Sequence, residues 1–327
     1  MQTFEHDEVT SFADVRRKVG RRDMLIAGGT DLVPLMRDGL VAPRSLVNLK
    51  TVRGGAVIRA SRSGGTFGAL ALVADIAEDR AVRRWYPALA AACDAVGTVQ
   101  IRNMATIGGN LCQRIRCWYF RQNVPCHKTG GRGCPAVEGL NEYLAIFGTG
   151  PCHAPHPSDP AVALAALEAR VRVRWADPGR KPGVATISIA DLYSTAPRRR
   201  DSETILRAGD VIERITVPAK YAGGRQLYLK ATQRAEWDFA LVSVAAVWPK
   251  GGRGVPRVVL GGVAPQPWEI EIPKAGSGKR WAQVVADAAV AAAKPLSQNA
   301  YKVELARNLV REVLAPGGYT SRGRGGP

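Results

Sequence analysis

Met24-Leu25-Ile26-Ala27-Gly28-Gly29-Thr30-Asp31-Leu32 is the stretch on which the fold turns. Its first four residues are apolar and read as a short buried strand. Two glycines break the strand, and a helical run resumes from Asp31 to Arg37. Glycine lets the backbone approach a ligand closely, and successive N–H groups in such a turn make a nest for phosphate oxygens. Thr30 adds a hydroxyl donor, while Asp31 either accepts from a sugar hydroxyl or orients the loop. The pattern is neither GxGxxG nor GxxxxGK[ST], since no lysine follows. Taken alone, a strand followed by two glycines is more often just a tight turn.

A second glycine turn, Ala105-Thr106-Ile107-Gly108-Gly109-Asn110, follows a helical segment at 81–96. A diphosphate needs donors from two sides, and two such loops in one domain supply them. Around this pair lie a short helix at 12–19 and a second strand, Leu46 to Leu49. From Gln113 to His156 the hydrophobic periodicity fails, and cysteine, glycine, proline and charge dominate. An irregular insert of that length needs internal cross-linking.

Regularity returns at Ser158, which reads as an N-cap, with Pro160 in the first turn and AVALAALEA continuing the helix. Arg170 to Trp175 alternates with period two, as a half-buried strand does. The Pro-, Ser- and Arg-rich stretch at 194–202 marks a domain boundary. Strand-like runs follow at 211–217, 226–232, 240–248 and 257–263. Two helices close the chain, at 281–293 and 301–314, the second with Tyr301, Leu305, Leu309 and Val313 on its apolar stripe. Strands first and helices last give an α+β C-terminal domain. The expected division is 1–200, 201–314 and a disordered tail at 315–327.

The chain has 327 residues, 46% of them hydrophobic, enough for two or three domains. No stretch approaches the roughly 20 apolar residues of a membrane-spanning helix. The N-terminus is acidic and mixed in polarity, so it does not read as a secretory signal. The expectation is a soluble, cytoplasmic chain, or a periplasmic one if co-exported with a partner that carries the signal. The formal charge of +18 admits nucleic acid, an acidic partner or a polyanionic cofactor. Because the charges are dispersed, no nucleic-acid partner is expected. No serine, histidine or carboxylate constellation typical of hydrolysis is present.

Six cysteines occur, five of them between positions 112 and 152. A long chain without a signal argues against disulfides, and clustering favours metal ligation. Thiolates are the usual ligands of iron–sulfur clusters, four per cubane. Structural zinc favours short C-x₂₋₄-C pairs, and only Cys112 and Cys117 lie that close, with no second pair to match.

AGGTDLVPLM (27–36), QIRNMATIGGNL (100–111), PSDPAVAL (157–164), YLKATQRAEWDFALVSVAA (228–246) and GGVAPQPWE (261–269) resemble the FAD-binding subunits of the xanthine dehydrogenase and carbon monoxide dehydrogenase family. The likeness runs in order over nearly the whole chain up to about residue 314. It implies a two-part, PCMH-type FAD-binding domain followed by an α+β domain of the CO dehydrogenase flavoprotein C-terminal type. By resemblance, Leu25, Ile26, Ala27, Gly28, Gly29, Thr30, Asp31 and Leu32 hold the diphosphate, together with Thr106, Ile107, Gly108, Gly109 and Asn110. Asp159 falls at an FAD-contacting carboxylate, and Ile212 and Lys230 at positions that approach FAD from the C-terminal domain. On residue chemistry alone, Asp159 reads as a first-turn acid favoured by the helix dipole and Lys230 as a solvated strand residue.

The insert resembles that of the 4-hydroxybenzoyl-CoA reductase flavin subunit and, more closely, that of bacterial aldehyde oxidoreductases. Both groups carry a [4Fe-4S] cluster there, which implies Cys117, Cys126, Cys134 and Cys152 as ligands. Cys93 and Cys112 fall outside that set. Arg114, Arg116, Arg121 and Arg132 are expected to offset the cluster's charge, with Trp118, Tyr119 and Phe120 either shielding it or simply packing.

The resemblance further implies an electron-transfer subunit with no catalytic residue of its own. A large partner subunit would carry the molybdenum cofactor and a small one two [2Fe-2S] clusters, in a heterotrimer or a dimer of heterotrimers. Two other readings stay open: a stand-alone flavin oxidase, and a zinc-stabilised RNA-binding protein.

Overall fold

The computed structural model describes residues 2–177, 181–196, 198–252, 254–272 and 274–315. The tail expected beyond 315 lies outside the described residues. Three sheets organise the chain. The first is small and parallel, with Ser45–Asn48 flanked by Glu5–Glu8 and Met24–Ile26. Its middle strand puts Leu46 and Val47 in the interior, while the edges face outward. The expected strand at Met24 ends at Ile26, and the glycine loop leaves from its C-terminal end.

The second sheet has five antiparallel strands, in the order Ile58–Ser61, Gly64–Gly68, Val211–Val217, Arg170–Trp175, Gly183–Ser188. The period-two reading of 170–175 holds, with Val171 and Val173 fully buried. The run at 211–217, expected to open the C-terminal domain, pairs instead with Gly64–Gly68 and Arg170–Trp175. Sheet membership therefore moves the break from 200/201 to the chain between Val217 and Gln226. The stretch at 194–202 is no linker either, as shown below.

The third sheet is antiparallel, in the order Trp268–Ile270, Arg257–Gly261, Val242–Val247, Gln226–Ala231. All six residues of Val242–Val247 are buried, because both faces of this sheet are covered. One face packs on helices Lys279–Val290 and Tyr301–Leu314, the other on Pro87–Asp94 and Asp159–Ala166. The latter helix is apolar all round and sits between the two larger sheets, as such a helix must. Ser158 Oγ accepts from Ala161 N at 3.1 Å, the expected N-cap.

Three helical expectations are corrected. The segment at 81–96 is two helices, Arg80–Trp85 and Pro87–Asp94, because Pro87 starts a new one. The glycine turn at 105–110 contains a short helix, Ile107–Leu111, capped by Thr106. On Tyr301–Leu314 the buried stripe is Lys302, Ala306, Val310, Val313 and Leu314, and Tyr301 is exposed. No helix among the described residues is long and apolar enough to cross a membrane.

Candidate functional site: a glycine-lined cleft and a cysteine cavity

A cleft of about 1190 Å³ opens where the small parallel sheet, the helix after Thr106 and the C-terminal sheet meet. Both glycine segments line it, and so do Asp159 and Ile212. Ile26, Ile107 and Lys230, expected at the ligand, do not line it.

The two glycine segments do different work. Among the described residues, the backbone N–H groups of Gly28, Gly29, Thr30, Asp31 and Leu32 have no protein partner. Five consecutive free donors, ending at a helix start, are the kind of arrangement that can receive an anion. Gly29 has φ +71°, the left-handed region that glycine adopts without strain. In the second segment the donors are already used. Ile107 N donates to Ala71 O at 2.9 Å and Gly108 N to Ala69 O at 2.8 Å. Gly109 N donates to Thr106 Oγ1 at 3.2 Å and Asn110 N to Thr106 O at 2.8 Å. This segment shapes the cleft rather than cradling phosphate through its backbone, which corrects the equal roles expected of the two. Gly109 is exposed in the cleft, so glycine there keeps the wall flat.

Asp31 is turned away from the role of sugar acceptor. Its Oδ1 meets Arg116 Nη1 at 2.9 Å and Arg121 Nη2 at 2.7 Å, and its Oδ2 accepts from Arg114 N at 2.7 Å. All three partners belong to the insert.

Asp159 sits at the cleft with both oxygens engaged, by Tyr228 Oη at 2.6 Å and Lys230 Nζ at 2.8 Å. Burial lifts its carboxyl above the ordinary range, and Lys230 and Tyr228 oppose that rise. Lys230 is neither solvated nor free for a ligand. Its other bonds go to Ala95 O at 2.8 Å and Asp238 O at 2.9 Å, which ties three walls of the cleft together. Sequence reasoning missed Trp237 and Phe239, exposed at the cleft on the turn between two strands. Arg234 and Arg116 respectively sit over their rings.

Behind Phe120 and Lys128, which border the cleft, lies a second and much smaller cavity. Cys117, Cys126, Cys134 and Cys152 all line it, with apolar walls from Ile115, Tyr119 and Phe120. Cys93 is buried in the core elsewhere, and Cys112 faces the flavin-sized cleft instead. Burial pushes the Cys117 thiol up and the Cys152 thiol to about 12, so neither is an activated nucleophile. Among the described residues no three Cys, His, Asp or Glu side chains converge as ligands of a single ion.

Three of the four arginines expected to offset a cluster are engaged elsewhere. Arg116 and Arg121 serve Asp31, and Arg114 serves Glu203 at 2.8 Å. The cation at the cysteine cavity is Lys128, buried and paired with Glu203 while donating to Ala196 O at 2.9 Å. His127 Nε2 lies 2.9 Å from Arg198 O, and Arg200 Nη1 donates to Gly130 O at 3.0 Å. The 194–202 stretch is thus fastened to the insert, which is why it is not a linker.

This architecture, a glycine-nest cleft roofed by an α+β domain, is that of the flavin-carrying subunits of molybdenum hydroxylases. The profile of the FAD binding domain in molybdopterin dehydrogenase matches residues 2–220, and the chain belongs to that family. It is an FAD-binding subunit of an oxidoreductase. Over 321 residues it is 39% identical to the aldehyde oxidoreductase FAD-binding subunit PaoB of Escherichia coli (strain K12), covering 96% of this chain and 98% of that one. It is 26% identical to the carbon monoxide dehydrogenase medium chain of Hydrogenophaga pseudoflava, covering 91% and 90%. The solved carbon monoxide dehydrogenase of that organism superposes with a TM-score of 0.70 at 23% identity, over 95% of each chain. Quinoline 2-oxidoreductase from Pseudomonas putida 86 superposes at 0.71 and 21%, over 96% of each.

Proposed function

We propose that this chain relays electrons through FAD within an aldehyde-oxidising molybdenum enzyme and carries a [4Fe-4S] cluster on Cys117, Cys126, Cys134 and Cys152. The observation that carries the flavin half is the row of five unpartnered N–H groups from Gly28 to Leu32 at a cleft of flavin size. Bound there, FAD would supply two-electron redox chemistry between partner [2Fe-2S] clusters and an external acceptor. This chain's residues bind and orient. The nest holds diphosphate oxygens, Thr30 and Asn110 offer side-chain donors, and Asp159 is fixed by Tyr228 and Lys230. The cleft carboxylates Asp31 and Asp159 are held by Arg116, Arg121, Tyr228 and Lys230 rather than left as bases, which weighs against an independent oxidase. Supporting the cluster are the four thiols that line one small cavity with apolar walls, since thiolates are the usual ligands of such clusters.

The likeness to PaoB supports an aldehyde-oxidising complex with a large molybdenum subunit and a small [2Fe-2S] subunit, as a heterotrimer or its dimer. It supports a cytoplasmic or co-exported location equally, and no nucleic-acid role. The test is chemical analysis of the complex purified anaerobically. Acid should release intact FAD, and iron should exceed that of two [2Fe-2S] clusters by about four atoms. Release of FMN, or stoichiometric zinc in place of the additional iron, would refute the respective half.

A further inference from the structure

Residues 113–130 have little regular structure of their own, a single four-residue helix at Trp118–Arg121 and one 3₁₀ turn. Yet they form one side of the cleft, through Arg116, Phe120, Lys128 and Thr129. Two ties join this side to the glycine nest. The polar tie is Asp31, in the middle of the free donors, held by Arg114 N, Arg116 and Arg121. The apolar tie is Leu35, on the helix that leaves the nest. It is buried with Ile115, Phe120, Cys152 and Ala154 in a small core separate from the others. Two of the cavity cysteines, Cys152 and the partly buried Cys117, therefore belong to the same small cluster as the nest's helix.

A segment with so little regular structure depends on cross-links and on ties such as Lys128–Glu203 and Arg200–Gly130 for its order, because conformational entropy opposes that order at every residue. We propose that the cysteine insert is a latch on the flavin site. Cross-linking of the four thiols orders 113–130, and Asp31 transmits that order to the Gly28–Leu32 donors, so cluster and FAD are retained together. Asp31 is a positioning residue: it touches the insert, and acts on the ligand through the loop it anchors. This rests on the flavin and cluster assignments made under Proposed function.

The sign of one effect separates the latch from simple electrostatics. Asp31 is an acid beside a site for a diphosphate, so removing its charge should tighten FAD binding if charge alone mattered. The latch requires the opposite. The experiment uses the intact complex, measuring FAD dissociation by recovery of flavin fluorescence together with iron content. Cluster destruction by ferricyanide and chelator in the wild type, and Cys126→Ser, should each raise the FAD dissociation constant at least about tenfold. Asp31→Asn should raise it comparably with iron unchanged. The double variant should bind FAD no more weakly than Cys126→Ser, because both act on one coupled element. Unchanged FAD affinity after iron loss, tighter binding in Asp31→Asn, or additive effects in the double variant would overturn the latch while leaving the flavin assignment standing. The bleaching arm needs no folded variant. A wild-type complex without flavin would instead refute the functional reading, and the latch with it.

Discussion

Gly28 is packed directly on the backbone of Met104: a Cβ at Gly28 would lie 2.1 Å from the Met104 carbonyl oxygen. The two glycine segments are thus in contact, and Gly28 is glycine because another piece of main chain occupies the side-chain space. Gly109 is glycine for a different reason. A Cβ there meets only Thr106 Oγ1, at 2.9 Å, and otherwise projects towards the cleft.

The two substitutions should therefore part company. Gly28→Ala must push two backbones apart, and a cost of about 3 kcal/mol or more is expected, the upper end of overpacking. Thermal unfolding should show a large loss, with FAD retention lost as well. Gly109→Val should cost far less stability, chiefly through the Thr106 cap at about 1 kcal/mol, yet still abolish FAD retention. Equal stability losses in the two would contradict the assigned roles.

Lys230→Met removes the only cation paired with Asp159 among the described residues. Leaving a buried carboxylate unpaired costs about 3–5 kcal/mol. The sign with pH is fixed by burial, which raises the Asp159 carboxyl. A raised acid is tolerated below the ordinary carboxylate range, where it is neutral, and destabilises as pH rises. The deficit of Lys230→Met relative to wild type should therefore grow from about pH 5 to pH 8 in urea titrations. A deficit independent of pH would mean that Asp159 stays protonated in both proteins.

How much of this was legible in the sequence depended on whether local residues or distant ones decide. Ser158, Pro160 and the alternation of Arg170–Trp175 act within their own element, and the structure keeps them. The strand at 211–217 was legible, but its sheet was not, because its partners lie some forty and a hundred and fifty positions away. On the last helix Val313 is buried as expected and Leu305 and Leu309 pack on the same core, but the place expected of Tyr301 goes to Lys302, and no hydrophobic pattern assigns a lysine to a core. Asp31 was legible as important and illegible in role, since its partners arrive from a segment with no periodicity at all. The free donors at Gly28–Leu32 and the occupied ones at Ile107–Asn110 share two adjacent glycines, and the acceptors on Ala69, Ala71 and Thr106 tell them apart.

Individual replacement of Cys117, Cys126, Cys134 or Cys152 with serine should lower iron in the complex by about four atoms and expose the insert to protease. Cys93→Ser and Cys112→Ser should leave iron unchanged, since one lies in the core and the other at the cleft. Iron loss in Cys112→Ser would mean that the cavity's four cysteines are not the ligand set.

Lys302 gives the last expectation, and it concerns how the insert's return arm is held. Its amine is fully buried and donates to Tyr143 O and Gly262 O, each at 2.9 Å. Two acceptors suit the two protons of a neutral amine, and no carboxylate pairs with it among the described residues. Burial lowers its pKa to about 7. The group is a base whose folded value is depressed below its ordinary value near 10.5. Between those two values the unfolded chain binds more protons than the native one, so native stability rises with pH there. Below the lower value both states are protonated, and the full penalty of a buried ammonium persists. Lys302→Met removes the penalty along with the two hydrogen bonds. The variant should therefore compare best with wild type near pH 6 and fall progressively behind towards pH 9, by up to about 1.4 kcal/mol per pH unit. Parallel unfolding midpoints across that range would show that Lys302 titrates as an exposed lysine does.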